Sequence, residues 1–273
     1  MRMLSKIKSG KNEYLGGEYW NDVAEKMDNF YVDNPYFQYK KRELLRLVNL
    51  WGKDKLDKKI LKTDLYEESL GYDDFLFDLA KNNEDVCGMD ISSKIVDMAK
   101  ERAEKLGVKP KLVVQDARKM DFENESFDLI ISNSTFDHFP EIDEAISECG
   151  RVLKTGGILI MTILNKDNLL LYLLCKIMKF FNKYHSFYTE GVYSIREIKS
   201  LIKCAGLDMI DSTAILHVPP VFPTLINVLY RNNFSIFKKP VSLLVKIFEI
   251  WGRQDTFLNY LTGYLLAVKA VKK

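Results

Sequence analysis

The sequence has few of the residues that build a metal centre or a disulfide framework. It contains three histidines and four cysteines in 273 residues. The cysteines share no close spacing, and each falls in a segment predicted to be strand or helix. We therefore expect buried free thiols rather than a disulfide or a zinc site, no bound metal, and a reducing cytoplasm as the default location. The four cysteines are Cys87, Cys149, Cys175 and Cys204.

The sequence also lacks an excess of charge of one sign and a long apolar run. Its net charge is +2, which gives no reason to expect nucleic acid as a partner. The first residues are too polar for a signal peptide. Residues 169–181 are apolar apart from Lys176 and Lys179, and this segment is too short and too charged to span a bilayer. An apolar fraction of 47% supports a full core, and we predict one domain over residues 1–273.

Apolar runs alternate with helical patterns through the middle of the chain. A helix is predicted between the second and third runs, with Ser92 or Ser93 as its N-cap and Gly107 just past its end. Strands that alternate with helices of this length predict a doubly wound, mostly parallel sheet with helices on both faces. The predicted strands are residues 59–62, 86–90, 111–115, 129–132, 158–163 and 207–216, with a seventh after Gly263.

Three of the apolar runs are followed by a polar side chain. Asp90 ends the second strand, Asp116 follows the third, and Asn133 follows the fourth. The carboxyl ends of parallel strands meet at one edge of a sheet, and ligands of open α/β sheets bind outside that edge. We therefore expect these three side chains to lie close together at a ligand site.

The order and spacing of these segments resemble the class I S-adenosylmethionine-dependent methyltransferases, over roughly residues 59–215 and the final strand. The resemblance implies a Rossmann-like sheet of seven strands whose last strand is antiparallel, and S-adenosyl-L-methionine as the cofactor. It also implies a role for each residue at the strand ends. Asp90 would bind the ribose, with Ile91 as a further cofactor contact, and Asp116 with Ala117 would bind the adenine. Asn133 and Ser134 would lie near the methionine end.

The loop after the first strand departs from the family pattern. The glycines expected in this turn are missing, and Lys62 stands where the family has an acid. Some methyltransferase-like sequences with a Lys-Thr-Asp-Leu-aromatic-x-Glu segment are similar here. The cofactor carries an ammonium and a sulfonium, which Asp64, Glu67 or Glu68 could face directly. We expect Thr63, Asp64 and Glu68 to bind it, with Lys62 neutralised by a nearby carboxylate. The alternative is a loop that no longer supports catalysis, in a cofactor- or partner-binding module of the same fold.

Asp137 and His138 follow the fourth strand, beside the expected methyl group. Histidine is the side chain best suited to act as a general base at neutral pH, so His138 could be that base, and Asp137 could orient a hydroxyl or an amine of the acceptor. The alternative is that His138 only packs or caps the loop. The sequence has no Asn-Pro-Pro-Tyr-like segment, which counts against methylation of nucleobase amino groups.

Segments outside the minimal sheet suggest the character of the substrate. Residues 1–50 predict a helical cap, and residues 164–192 and 217–258 predict insertions that place lysines between bulky apolar residues. These helices would form a lid over an apolar acceptor, lie on a membrane surface, or simply pack against the core. Tyr188 and Tyr193 are candidate substrate contacts. The resulting hypothesis is a methyltransferase acting on an apolar or amphipathic small molecule, with peripheral membrane contact as a further expectation.

Overall fold

A computed structural model describes residues 16–27, 33–138, 141–180, 191–253 and 258–273. The centre of the molecule is a mixed sheet in the order β3-β2-β1-β4-β5-β8-β7, with the short strand β6 paired to β5. The strands are β1 (Ile60–Lys62), β2 (Val86–Asp90), β3 (Lys111–Val114), β4 (Phe127–Asn133), β5 (Leu153–Asn165), β6 (Val192–Tyr193), β7 (Leu207–Ile215) and β8 (Leu265–Lys272).

The predicted seven-stranded, mostly parallel sheet is confirmed. Strands β1 to β5 pair in parallel, and β8 runs antiparallel to both β5 and β7. Two details differ from the prediction. The two-residue strand β6 was not predicted, because two residues carry no periodicity. The fifth strand, predicted over residues 158–163, begins earlier, at Leu153. It contains an irregularity at Gly156, which adopts a φ of +73°, and its pairing with β4 resumes at Ile158.

Helices cover both faces of the sheet, as the alternating pattern predicted. They are α1 (Gly17–Met27), α2 (Pro35–Trp51), α3 (Tyr66–Leu70), α4 (Phe75–Ala80), α5 (Ser93–Leu106), α6 (Ile142–Val152), α7 (Leu169–Phe180), α8 (Ile195–Cys204), α9 (Phe222–Arg231), α10 (Ser235–Gly252) and α11 (Leu258–Thr262). The capping signals of α5 are where the sequence predicted them. Ser92 accepts a hydrogen bond from the Ile95 N–H, and Gly107 ends the helix in the left-handed conformation.

Successive strand residues point to two separate cores. Ile60 and Leu129 pack with α2, α4 and α5 on one face, whereas Leu61 and Ile130 pack with α6 and α8 on the other. The expectation of buried free thiols holds for Cys87 and Cys149. It is wrong for Cys204, which is exposed in the last turn of α8.

The insertions leave the sheet at the edge where the parallel strands end. Helix α7 follows β5, and α9 to α11 connect β7 to β8. Helix α10 packs against α2, where Arg42 donates two hydrogen bonds to Glu249 at 2.9 and 2.5 Å. A lid role for these helices stays a prediction, because the contacts of α10 are with α2 and α9. In the described part of the chain, no helix has the length and hydropathy needed to cross a membrane.

The packing of α10 can be tested with a matched pair of substitutions. Val245 is 1% exposed and belongs to the core shared with α2, whereas Leu243 is 62% exposed on the same helix. Val245→Ala should lower the free energy of unfolding by about 2 kcal/mol, because it removes buried apolar area and leaves a cavity. Leu243→Ala should change it by less than about 0.5 kcal/mol. Urea denaturation measures both, and equal losses would contradict this packing.

Candidate cofactor and acceptor site

Asp90 is held at the end of β2 by two backbone groups. Its Oδ1 accepts a hydrogen bond from the Ser92 N–H at 2.9 Å, and its Oδ2 accepts one from the Leu65 N–H at 3.0 Å. The side chain is 7% exposed, and this burial raises the pKa of Asp90 to about 7. Each oxygen keeps a further lone pair. The carboxylate is therefore oriented for two more donors, which is what a ribose diol supplies.

The loop after β1 replaces a glycine turn with the short helix α3. Leu65 is completely buried where that turn would lie, over strand β2. A Cβ at Gly88 would come within 2.6 Å of the Leu65 and Leu76 side chains, so the close approach requires glycine in the strand rather than in the loop. The sequence did contain this signal, because Gly88 interrupts the apolar run of β2.

Lys62 is buried among carboxylates at the start of this loop. Its ammonium lies 2.8 Å from Asp64 Oδ1 and 3.0 Å from Glu68 Oε2, and 3.8 Å from Glu67 Oε2. Burial alone would lower the pKa of Lys62, but the three carboxylates outweigh it and raise the pKa well above its usual value. Lys62 is therefore a permanent cation. The expectation that a carboxylate neutralises it agrees with this geometry.

A second cation reaches the same cluster from α2. Lys40 Nζ lies 2.6 Å from Glu67 Oε1. Burial would raise the pKa of Glu67, but Lys40 and Lys62 lower it to about 2. Asn133 contacts the same Glu67 oxygen at 3.4 Å and accepts a hydrogen bond from the Thr162 hydroxyl at 2.9 Å. The sequence analysis missed Lys40 as a site residue, and it considered Glu67 only as one of three acids that could face the cofactor.

Two threonines connect the loop after β1 to the loop after β4. The Thr135 hydroxyl donates to Asp64 Oδ2 at 3.0 Å, and the Thr63 hydroxyl donates to Thr135 at 3.4 Å. Ser134 adopts a φ of +53°, and its N–H donates to the Thr162 backbone oxygen at 3.1 Å. Thr63, Asp64, Asn133 and Ser134 are thus brought together, as expected from the strand ends.

Two expected site residues are engaged elsewhere. Glu68 has no exposed surface, and its carboxylate accepts hydrogen bonds from Lys62 and from the Leu76 N–H at 3.1 Å. Glu68 therefore holds the Lys62 ammonium in position from the buried side of the cluster. Asp116 forms an ion pair with Arg118, whose guanidinium approaches Asp116 Oδ2 within 2.5 Å. Ala117 is buried in the core on the α6 face. The adenine roles of Asp116 and Ala117 stay predictions.

Helix α1 covers the Asp90 side of the site. A Cβ at Gly17 would come within 2.7 Å of the Ile91 backbone oxygen, so the helix rests directly on the residue after Asp90. Asn21 accepts a hydrogen bond from the Ser92 hydroxyl at 2.6 Å. The Trp20 ring lies 5.0 Å from that of His138, centroid to centroid. The sequence did not predict these contacts, because they depend on how the N-terminal segment folds back.

Asp137, His138 and Tyr193 lie on the β4–β6 side of the site. Asp137 is 6% exposed, and within the described residues its Oδ1 has no hydrogen-bond partner. Burial raises the pKa of Asp137, opposed by His138. Burial also raises the pKa of Tyr193, and the Asp137 carboxylate adds to this effect. Tyr188 lies outside the described residues.

The charges of this cluster fit a cationic ligand. Two ammonium groups, those of Lys40 and Lys62, face the three carboxyl groups of Asp64, Glu67 and Glu68. Burial raises the pKa of Glu68 to about 8, and a ligand cation would favour its charged form. The sulfonium, ammonium and carboxylate of S-adenosylmethionine sum to one positive charge. The buried Asp90 carboxylate, with lone pairs still available, fits its ribose.

Comparison with known proteins agrees with this geometry. A family model described as "Methyltransferase domain" matches residues 69–161. The chain is 26% identical over 219 residues to the ubiquinone biosynthesis O-methyltransferase of Coxiella burnetii, covering 79% of this chain and 88% of that protein. It is 26% identical over 162 residues to the sterol 4-C-methyltransferase of Caenorhabditis elegans, covering 58% and 44%.

Among solved structures, the fold is similar to magnesium protoporphyrin IX methyltransferase from Synechocystis with bound S-adenosylhomocysteine. The TM-score is 0.61 at 15% identity, and the match covers 94% of this chain and 98% of that one. Residues 69–161 match a methyltransferase domain, and the fold is that of the class I S-adenosylmethionine-dependent methyltransferases. S-adenosylmethionine is the cofactor of this methyltransferase, and when bound it supplies a methyl group already activated by a sulfonium.

We predict that Lys62→Gln destabilises the methyltransferase strongly at neutral pH. The substitution leaves Asp64 and Glu68 buried without their cation, and breaking a buried ion pair from one side costs about 3–5 kcal/mol. Burial already raises the pKa of Asp64, and that of Glu68 to about 8, and both would rise further without the cation that opposes this effect. The loss should therefore shrink as the pH falls toward about 5.

Urea denaturation over a pH series measures this effect. Lys105→Gln is the matched control, because Lys105 is exposed near the end of α5 and should change the stability little. A Lys62→Gln variant as stable as the parent at neutral pH would contradict the assigned role of the buried ammonium.

Cofactor affinity should depend on pH through Asp90. Ribose hydroxyls donate to the charged carboxylate, so binding lowers its pKa from the value of about 7 in the free protein. The affinity should be level above pH 7 and fall as the pH drops below it. Asp90→Ala should weaken binding about thirtyfold or more, and Asp90→Asn should flatten this pH dependence.

Calorimetric titration with S-adenosylmethionine provides the measurement. Asp90→Ala and Asp90→Asn are compared with Asp97→Asn, which removes the charge of an exposed acid on α5. Asp64 and Lys62 also act on the pKa of Asp90, so they are left unchanged in all variants. Parent-like affinity in Asp90→Ala would rule out the ribose assignment.

Proposed function

We propose that this methyltransferase transfers a methyl group to an apolar or amphipathic small molecule. The observation that carries the proposal is a row of aromatic rings beside the carboxylate cluster. The rings are Phe37, Tyr72, Tyr66, Trp20 and His138, with successive centroids 5.8, 6.3, 6.2 and 5.0 Å apart. Ring faces favour an acceptor that is itself flat or apolar.

The names of the relatives support this acceptor class. Three of the proteins similar to this chain are named as acting in ubiquinone biosynthesis, on a sterol and on magnesium protoporphyrin IX. All three compounds carry large apolar frameworks. The methylated atom differs among these relatives, so the atom type is left open in this proposal.

The proposed roles follow the arrangement of the loops. Thr63, Asp64 and Asn133 hold the methionine end of the cofactor, together with Glu67. His138 takes a proton from the acceptor, and Asp137 orients the acceptor through Oδ1, which no described residue contacts by a hydrogen bond. A buried oxygen without a partner favours a donor from a ligand, because desolvation of an unmatched acceptor is costly.

The proposal extends to the location of the protein. We place the protein in the cytoplasm, where it would meet its acceptor at a membrane surface without needing a membrane-spanning helix.

Tyr193 is proposed to line the acceptor end of the site, since it is half-buried and the Asp137 carboxylate acts on its pKa. Tyr188 stays a proposed substrate contact from the sequence alone.

The acceptor class is tested by methyl transfer from S-adenosylmethionine with a labelled methyl group. The acceptors are a dihydroxybenzene with an isoprenoid tail, a sterol, a porphyrin carboxylic acid and phosphoethanolamine. We expect transfer to at least one of the apolar acceptors and none to phosphoethanolamine. Transfer only to phosphoethanolamine, or to none although the cofactor binds, would overturn the proposal.

The proposed base is tested by substitution. His138→Ala should lower kcat about a hundredfold or more for an acceptor that loses a proton, with the affinity for S-adenosylmethionine nearly unchanged. Asp137→Asn should raise KM for the acceptor, because the orienting oxygen loses its charge. Asp143→Asn, an exposed acid on α6, is the control. If His138→Ala keeps the parent kcat across the pH range, His138 only packs against Trp20.

A further inference from the structure

Helix α10 has an exposed apolar stripe opposite its packed side. Val245 and Glu249 are buried against α2, and Val241 and Phe248 pack beside them. The other side of the helix repeats large apolar residues at the spacing of helical turns. These are Ile236 (79% exposed), Leu243 (62%), Ile247 (52%), Ile250 (56%) and Trp251 (38%).

The exposed apolar surface continues from α10 through α11 to α7. Asn259 of α11 donates to the Gly252 oxygen at the end of α10, and Asn168 donates to the Thr262 oxygen at the end of α11. The connecting helix exposes Leu258 and Leu261. Helix α7 exposes Leu169, Leu170, Tyr172, Leu173 and Ile177. We call the exposed sides of α7, α10 and α11 the apolar–basic face.

The charges near this face are almost all positive. The sequences of α7, α9 and α10 contain six basic residues and one acid. The acid, Glu249, is buried and paired with Arg42 and Arg253. The basic residues are Lys176, Lys179, Arg231, Lys238, Lys239 and Lys246. The apolar–basic face therefore combines exposed apolar side chains with neighbouring cations, and helices α7, α9 and α10 have no exposed acid.

We propose that the apolar–basic face binds the surface of a bilayer that contains anionic phospholipids. Apolar side chains would enter the headgroup region, and lysines would contact lipid phosphates. The Lys176 ammonium lies 4.6 Å from the Tyr172 ring centre, so its stem lies along the apolar surface with the charge at its edge. The inference rests on the proposed function in one respect: a bilayer is where an apolar acceptor resides.

A second copy of the chain fits this face less well than a bilayer does. In a two-fold contact the same patch meets itself, so the lysines of one copy would face those of the other. No exposed acid on α7, α9 or α10 would compensate them. An anionic bilayer satisfies both the apolar stripe and the cations.

The path of the chain also places this face near the site. Helix α7 begins four residues after β5 ends, and α11 ends shortly before β8 begins, both at the sheet edge that carries Asp90 and Asn133. A bilayer bound there would lie on the side of the molecule from which an apolar acceptor enters.

Vesicle sedimentation with the full chain tests the proposal. The parent protein should bind vesicles of phosphatidylcholine with phosphatidylglycerol, and bind vesicles of phosphatidylcholine alone more weakly. High salt should reduce the difference. Replacing both Lys239 and Lys246 by Ala should weaken binding to the anionic vesicles about 25-fold, from about 1 kcal/mol for each lysine near the surface. Replacing both Lys53 and Lys105, exposed elsewhere, should have little effect.

The apolar stripe needs its own variant. Leu243→Asp with Ile247→Asp should abolish vesicle binding, whereas Ile210→Asp, 60% exposed on β7, should not. Circular dichroism and calorimetric titration with S-adenosylmethionine show that the variants are folded. Trp251 fluorescence should shift to shorter wavelength with anionic vesicles, and the shift should disappear in Trp251→Phe.

The outcomes separate this inference from the proposed function. A protein that methylates a dispersed apolar acceptor but ignores every vesicle overturns the membrane inference alone. A stable dimer that the Leu243→Asp, Ile247→Asp pair dissociates, without vesicle binding, also overturns it. Vesicle binding by a protein that transfers no methyl group to any apolar acceptor supports the membrane inference and removes the proposed function.

Discussion

The buried ammonium of Lys62 is the interaction on which the cofactor end of this methyltransferase depends. A charge removed from water is tolerated only with close partners of opposite sign. Here Asp64 and Glu68 lie within 3.0 Å of it. To supply them, the chain after β1 turns into a short helix instead of a glycine turn. The helical shape of the loop and the positive charge at the end of β1 therefore depend on each other.

This arrangement preserves the electrostatics of the site while changing the residues that provide them. Where the family has an acid at the end of β1, this chain has a cation, yet three carboxylates surround it. Lys40 adds a second cation beside Glu67, and a cationic ligand would favour the charged form of all three carboxyl groups. Glycine is still required, but at Gly88 of the neighbouring strand, where Leu65 packs over the backbone. The loop lacks the family's glycines in sequence, yet it still provides carboxyl groups at the cofactor site and close packing against β2.

Hydrophobic periodicity was sufficient to predict the parallel strands and the position of Asp90, whereas the antiparallel last strand was implied by the family resemblance. Strand ends follow directly from local pattern, so the residues that end strands could be identified without a structure. Lys40 could not, because its contact with Glu67 joins segments 27 residues apart through the path of α2. The pairing of Asp116 with Arg118 was likewise missed, since only geometry decides whether a carboxylate faces a neighbour or a pocket. Sequence pattern indicates burial and periodicity, whereas the partners of an ion pair can be identified only from the three-dimensional structure.

Helix α2 connects the carboxylate cluster to the α10 side of the molecule. Lys40 and Arg42 are two residues apart, which on an α-helix separates them by about 200°. Lys40 therefore reaches Glu67 on one side, while Arg42 reaches Glu249 of α10 on the other. Because Val245 buries α10 in the core shared with α2, the apolar–basic face is fixed relative to the cofactor loop. Any surface bound by α10 is thereby held at a defined distance from the site, as transfer to an acceptor delivered from that surface requires.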